Sequence, residues 1–338
     1  MVTVSSALIV SNLTGSYIYM AIRRGPLAPP EAGSEVFGVN YYTGNGATPR
    51  LIANSGSSGI VDTVFVNSVA GNTSHLSTRK TGQTSSLVRN STSTEATHSS
   101  RFLGVDNNSG FYIGNNGTHN AASSLYAAIM FTRAPLFFDH VEYRGTTSNT
   151  TIAHSLEVAP EMMWIKNKGV ADPWAIYYGD NTAYLSFNTA LPTTDDATYW
   201  NDTTPTSSVF TLGTNHSVNA NNENYSAFLF ATLDGVSKVG TYTGNGSSQT
   251  INCGFTSGAR YILIKRLDDP SNTQSEYWYE FNSGQGIVSG NETGFIVNGQ
   301  GSPFGDIVDP ASTGFIVNQT TSQRLNVNNS TYIFYAIA

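Results

Sequence analysis

Three phrases recur along the chain at intervals of about 100 residues, and their fixed order limits the fold more than any local feature. The opening phrase is Tyr42-Thr43-Gly44-Asn45-Gly46, shortened to Tyr143-Arg144-Gly145 and restored as Tyr242-Thr243-Gly244-Asn245-Gly246. An internal phrase follows each one: Thr63-Val64-Phe65-Val66-Asn67, Met162-Met163-Trp164-Ile165-Lys166 and Tyr261-Ile262-Leu263-Ile264-Lys265. The closing phrase occurs as Tyr17-Ile18-Tyr19-Met20-Ala21-Ile22, as residues 126–131, as Tyr225-Ser226-Ala227-Phe228-Leu229-Phe230 and as Tyr332-Ile333-Phe334-Tyr335-Ala336-Ile337. The order predicts units at 36–135, 138–233 and 238–338, preceded at 1–27 by a partial unit that holds only terminal strands.

The phrases are short, rich in Val, Ile, Tyr, Phe and Thr, and separated by Gly, Asn, Asp and Pro, which is the signature of strands. Apolar residues do not keep helical spacing, and Asn45-Gly46 and Asn245-Gly246 read as tight turns. The expected fold is all-β, with tandem β-sandwich or jelly-roll-like repeats. Pro26, Pro29, Pro30 and Pro135 follow closing phrases, and proline stops a strand and stiffens a junction. This spacing predicts a rigid, linear string of sandwiches.

Composition narrows the function. Charged residues make up 12% of the chain and aromatics another 12%, with a formal net charge of -7, so the chain folds and its surface is polar without being charged. Arg23-Arg24 is the nearest approach to a basic stripe, which argues against nucleic-acid binding. Cys253 is the single cysteine, and no His/Cys spacing suits zinc. Residues 1–10 do not read as a signal peptide, and no apolar run is long enough to insert in a membrane.

Several residues bear chemistry that has to be weighed against a plain structural role. Trp174 and Trp278 occupy matching places, as core positions do, although exposed they would stack on a sugar. The 36–135 unit has no tryptophan and offers His75 in that region. Tyr199-Trp200 lies in an Asp/Thr-rich, loop-like setting without a counterpart, and is the expected surface contact for a ligand. Asp195-Asp196, Asp268-Asp269, Asp306 and Asp309 read as solvated turns, since a glycosidase needs two carboxylates held across a cleft. His140, Glu142 and His154 are close in sequence, but nothing in their spacing fixes a metal or a general base. No nucleophile elbow or phosphate loop is present. The chain reads as a non-enzyme, with no cofactor and no metal.

Over nearly its whole length the chain resembles a tandem β-repeat of tailed-phage proteins, including those of marine and cyanobacterial phages. The resemblance is carried by residues 17–26, 134–139, 159–168 and 198–201, by Val236-Ser237-Lys238-Val239-Gly240-Thr241-Tyr242-Thr243-Gly244 and by Tyr332-Ile333-Phe334. It implies a virion structural protein on the exterior of the phage particle: a tail fibre or tail-associated adhesin for host attachment, or alternatively a capsid or tail decoration protein. Its implied partners are other virion proteins, further copies of itself and a host surface glycan. The partial unit sharpens this expectation. Tyr17, Ile18, Tyr19 and Ile22 would form an assembly hairpin, because two strands alone are marginal and their open edges invite strand addition, the alternative being completion of the unit by an upstream segment of the same chain.

Overall fold

The computed structural model describes residues 28–54, 60–69, 73–107, 109–189, 191–268, 277–284, 286–290, 294–297, 306–319 and 324–338. They are nearly all β, and the helices among them are single turns: Gly33–Val36, Gly117–Asn120, Ala197–Trp200 and His216–Asn219. The assembly hairpin at Tyr17, Ile18, Tyr19 and Ile22 lies outside the described residues.

Opening and closing phrases pair with each other in three large antiparallel sheets. Phe37–Thr43 lies against Leu125–Phe131, Phe138–Arg144 against Asn224–Phe230, and Ser237–Thr243 against Thr331–Ile337. The tyrosines face each other as Tyr42 and Tyr126, Tyr143 and Tyr225, and Tyr242 and Tyr332. On its other edge each closing strand takes the internal phrase, Thr63–Ser68, Met162–Asn167 or Tyr261–Arg266. Ser74–Thr78, Ala175–Tyr177 and Tyr279–Asn282 come next.

A smaller sheet covers one face of each large one. In the first sandwich it is Arg50–Ala53, Gly110–Ile113 and Phe102–Asn107; in the second, Thr150–Ala153 and Val209–Leu212; in the third, Gln249–Asn252, Gly314–Val317 and Val308–Ala311. Strand side chains alternate between faces. Val64 and Val66, Met163 and Ile165, and Ile262 and Ile264 therefore fill the three separate cores.

The opposite faces meet in one shared core. Phe65, Trp164 and Leu263, the alternate residues of the internal phrases, lie there with Phe131, Phe230 and Ile337 from the closing strands. Ring centroids are 5.7 Å apart for Phe65 and Trp164, 5.8 Å for Phe131 and Phe230, and 5.0 Å for Phe230 and Tyr335. Phe131 also meets Tyr261 at 6.3 Å, so the first sandwich touches the third as well as the second.

The expected linear string is thus corrected to three sandwiches around a common interior. The internal phrases are apolar at consecutive positions, so each large sheet needs cover on both faces. The junctions are reversals rather than spacers. Ala134 N donates to Phe138 O at 3.1 Å, and Leu233 N donates to Ser237 O at 3.1 Å.

The three seams differ in chemistry. Strand register places Leu76, Ile176 and Glu280 on corresponding rungs, and hence Ser74, Trp174 and Trp278 two residues before them. His75 is one position off and faces its own sandwich core. Trp174 Nε1 donates to Val88 O across the first seam at 3.0 Å, and Trp278 Nε1 to Ser186 O across the second at 2.8 Å. At the third seam the small Ser74 leaves room for Arg89, which corresponds to Phe187 of the second sandwich. Arg89 Nε donates to Ser74 Oγ at 3.0 Å, and Arg89 Nη1 pairs with Glu280 Oε2 of the third sandwich at 2.5 Å.

Glu280 also accepts from Asn67 Nδ2 at 2.6 Å and Tyr261 OH at 3.0 Å, and the guanidinium lies 4.8 Å over the Phe65 ring. Both charged side chains are fully buried. Burial by itself favours neutral Arg89, but the Glu280 carboxylate and Tyr261 together outweigh it and the net shift of the guanidinium is upward. Arg260 Nη2 strengthens the same seam by donating to Phe37 O at 3.0 Å.

Removing one partner of such a pair strands a buried charge, which costs about 3–5 kcal/mol. Arg89→Phe and Glu280→Ile, which install the side chains of the second sandwich, are each expected to lose about that much in urea denaturation. The double variant should lose much less than the sum of the two. Additive losses would show that the two charges act independently.

Candidate functional site

The surface feature built alike in all three sandwiches is the turn after the opening strand. It begins with a stacked tyrosine pair: Tyr42 with Tyr126 at 5.3 Å, Tyr143 with Tyr225 at 5.0 Å, and Tyr242 with Tyr332 at 4.8 Å between centroids. The opening tyrosine hydroxyl donates to His119 O, Val218 O or Leu325 O. The residue after each of these carbonyls is a fully buried asparagine, Asn120, Asn219 or Asn326. Its Oδ1 accepts from the turn backbone at Asn45 N, Thr146 N or Asn245 N, at 3.0, 2.7 and 2.9 Å. Its Nδ2 donates to Ala47 O, Ser148 O or Ser247 O, at 2.8, 2.7 and 2.7 Å.

The fit leaves no room for a side chain at the turn's first glycine. A Cβ on Gly44, Gly145 or Gly244 would lie 2.0, 2.1 or 2.2 Å from the carbonyl oxygen of Ala121, Ala220 or Val327. What these braces hold up is exposed and uncharged: Asn45-Gly46-Ala47-Thr48, Thr146-Thr147-Ser148-Asn149 and Asn245-Gly246-Ser247-Ser248, of which only Gly246 is half-buried. Each turn offers amide and hydroxyl groups on a fixed backbone. An asparagine six residues before each closing tyrosine was the sequence signal for the brace.

Tyr199 and Trp200 are not at the surface, which corrects their assignment as a ligand contact. Asp196 Oδ1 accepts from Thr198 N at 2.9 Å, capping the Ala197–Trp200 turn and folding the segment inward. Trp200 is 1% exposed, packs on Tyr177 and donates from Nε1 to Ala183 O at 2.9 Å. Tyr199 stacks on Tyr184, and burial raises its phenol well above the ordinary range. The Asp/Thr-rich composition that suggests a loop here supplies a helix cap.

His140 and Glu142 come together and His154 does not join them. His140 Nε2 lies 2.9 Å from Glu142 Oε1, and Lys168 Nζ bridges Glu142 Oε2 at 2.9 Å to Glu95 Oε1 of the first sandwich at 3.3 Å. Lys80 of the first sandwich donates to His140 O. Burial pushes Glu142 upward, but His140, Ser226 and Lys168 bring it down to about 2. His154 turns away to Thr206 O at 3.1 Å.

Lys166, also at this first seam, donates to Thr92 O, Asn167 O and Asp172 O, and burial lowers its ammonium to about 8 against the pull of Asp172. These groups tie two sandwiches together. Among the described residues no group of three His, Cys, Asp or Glu side chains is placed to hold a metal ion, and no helix is long and apolar enough to cross a membrane.

A family model described as a domain of unknown function, DUF7483, matches residues 131–338, more than half of the chain. The chain belongs to the DUF7483 family. No curated protein matches it. The DUF7483 region contains the second and third sandwiches and begins on the last residue of Leu125–Phe131, so it takes in two of the three braced turns.

Asn219→Ala removes the acceptor for Thr146 N and the donor to Ser148 O and Gly213 O. A loss of about 1–3 kcal/mol is expected in thermal or urea unfolding. Amide exchange should quicken at 145–149 and stay unchanged at 45–48 and 245–248. Equal protection in all three turns would count against the brace.

Proposed function

We propose that this protein is a structural component of the exterior of a tailed-phage particle, acting as a tail fibre or tail-associated adhesin that contacts neutral glycan on the host surface. The observation that carries this reading is the trio of braced, exposed turns, whose side chains are amides and hydroxyls without charge. Adaptable hydrogen-bonding groups on a preorganised backbone suit sugar hydroxyls, and rigidity lowers the ordering cost of binding. The resemblance of residues 134–139, 159–168 and 236–244 to tailed-phage repeats supports the location. The role is non-enzymatic: Asp196, one of the adjacent carboxylates, is engaged as a helix cap. Other virion proteins and further copies of the chain are the partners this reading calls for.

Two measurements test it. Gold-labelled antibody is expected at the distal tail of the particle, and a lattice on the capsid or tail tube would point to a decoration role instead. No labelling of particles would remove the virion assignment. Purified protein should bind host cells and release no reducing sugar from their polysaccharide. Charged replacements at the turns, Thr48→Glu with Thr147→Glu and Ser247→Glu, should abolish the binding while leaving the thermal midpoint in place, and undiminished binding would rule the turns out.

A further inference from the structure

One side chain pair separates the first sandwich from the other two. His75 and His119 are both buried, their ring centroids lie 4.6 Å apart at 74°, and Phe102 flanks His119 at 4.9 Å. His75 corresponds by register to Ala175 and Tyr279, and His119 by the asparagine brace to Val218 and Leu325. Two imidazoles thus occupy a core site where the second sandwich has only apolar side chains. His75 Nδ1 and His119 Nε2 find no hydrogen-bond partner among the described residues.

The groups that bear on the rings are basic: Arg101, His98 and each other. Arg101 Nη1 donates to Ser86 Oγ at 3.4 Å. The Asp62–Arg79 pair sits at the far end of Ser74–Thr78, and Arg89–Glu280 lies on its opposite face. A proton arriving on either ring would therefore be buried beside other basic groups, and among the described residues no carboxylate bears on the pair.

The strand that carries His75 also carries the third seam. Its residues alternate: His75 faces His119, while Ser74 accepts from Arg89 and Leu76 fills the shared core. We propose that this strand is a proton-sensitive coupling element: charging the His75–His119 pair displaces Ser74–Thr78, opens the Arg89–Glu280 seam, and releases the first sandwich from the other two. Burial, helped by Arg101 and His98, holds His75 down at about 3, and burial holds His119 well below its usual value. The unfolded chain then binds protons that the folded sandwich refuses. Stability is complete above the unfolded histidine value of about 6.5 and is lost as pH falls from there toward 3.

The test uses the full chain. All four tryptophans, Trp164, Trp174, Trp200 and Trp278, lie in the second and third sandwiches, and Trp174 donates to Val88 of the first, so tryptophan emission reports departure of a partner that has none of its own. On acidification the emission should shift to the red while hydrogen exchange rises across 37–131 and stays slow across 138–338. His75→Ala with His119→Val, the residues of the second sandwich, should lower the acid midpoint by about one pH unit, and His119→Val alone by less. His154→Gln, which alters a half-buried histidine of the second sandwich bonded to Thr206 O and away from the seams, should leave the midpoint of the first sandwich unchanged. Simultaneous exchange of all three sandwiches, an unmoved midpoint in the His75 and His119 variants, or a shift that follows His154 instead, would each overturn the proposal.

Discussion

A sheet that is apolar on both faces cannot stand in a row of independent sandwiches, and this requirement organises the molecule. Phe65, Trp164 and Leu263 sit on large sheets whose other faces are already covered by small ones. Burying the remaining faces against each other removes all three from water at once. Buried apolar surface alone is indifferent to which partner it meets. The two tryptophan-to-carbonyl bonds and the Arg89–Glu280 pair supply the direction that burial lacks, and each seam carries its own polar contact. A fully buried ion pair contributes little net stability beyond what apolar side chains would give. Its effect here is to make the third seam chemically unlike the other two.

Much of this was legible in the sequence. The alternation and the Gly/Asn punctuation reveal an all-β chain, and the opening and closing tyrosines meet rung for rung. The shared interior was harder to see. Its sign was present in the unbroken apolar runs of residues 162–165 and 261–264, where a half-exposed strand would alternate. Proline at 135 suggests a stiffener by its fixed φ, yet the hydrogen bond from Ala134 N to Phe138 O makes that segment a reversal, which no single-residue preference announces.

The candidate site was legible in part. Tyr199 and Trp200 have no counterpart in the other two units because they fill a space that the second sandwich closes with a capped turn in place of a third strand in its small sheet. The braced turns were hidden for the opposite reason. Asn120, Asn219 and Asn326 are ordinary residues in a chain rich in asparagine, and only the backbone groups they satisfy give them meaning. A buried amide that bonds on both of its ends replaces the strand pairing that the turn has left behind.

The third seam has one more consequence, for the connectivity of the chain. Gly33 packs so closely on the carbonyl of Ala338 that a Cβ there would lie 2.2 Å from its oxygen, and Ala338 N in turn donates to Val236 O at 2.9 Å. The start of the first sandwich and the finish of the third are therefore neighbours, much as 131 and 138 or 230 and 237 are. Packing does not distinguish the junctions that are covalent from the one that is not. The order in which the sandwiches follow along the polypeptide is a circular order, and it could be opened at another junction without changing which surfaces meet.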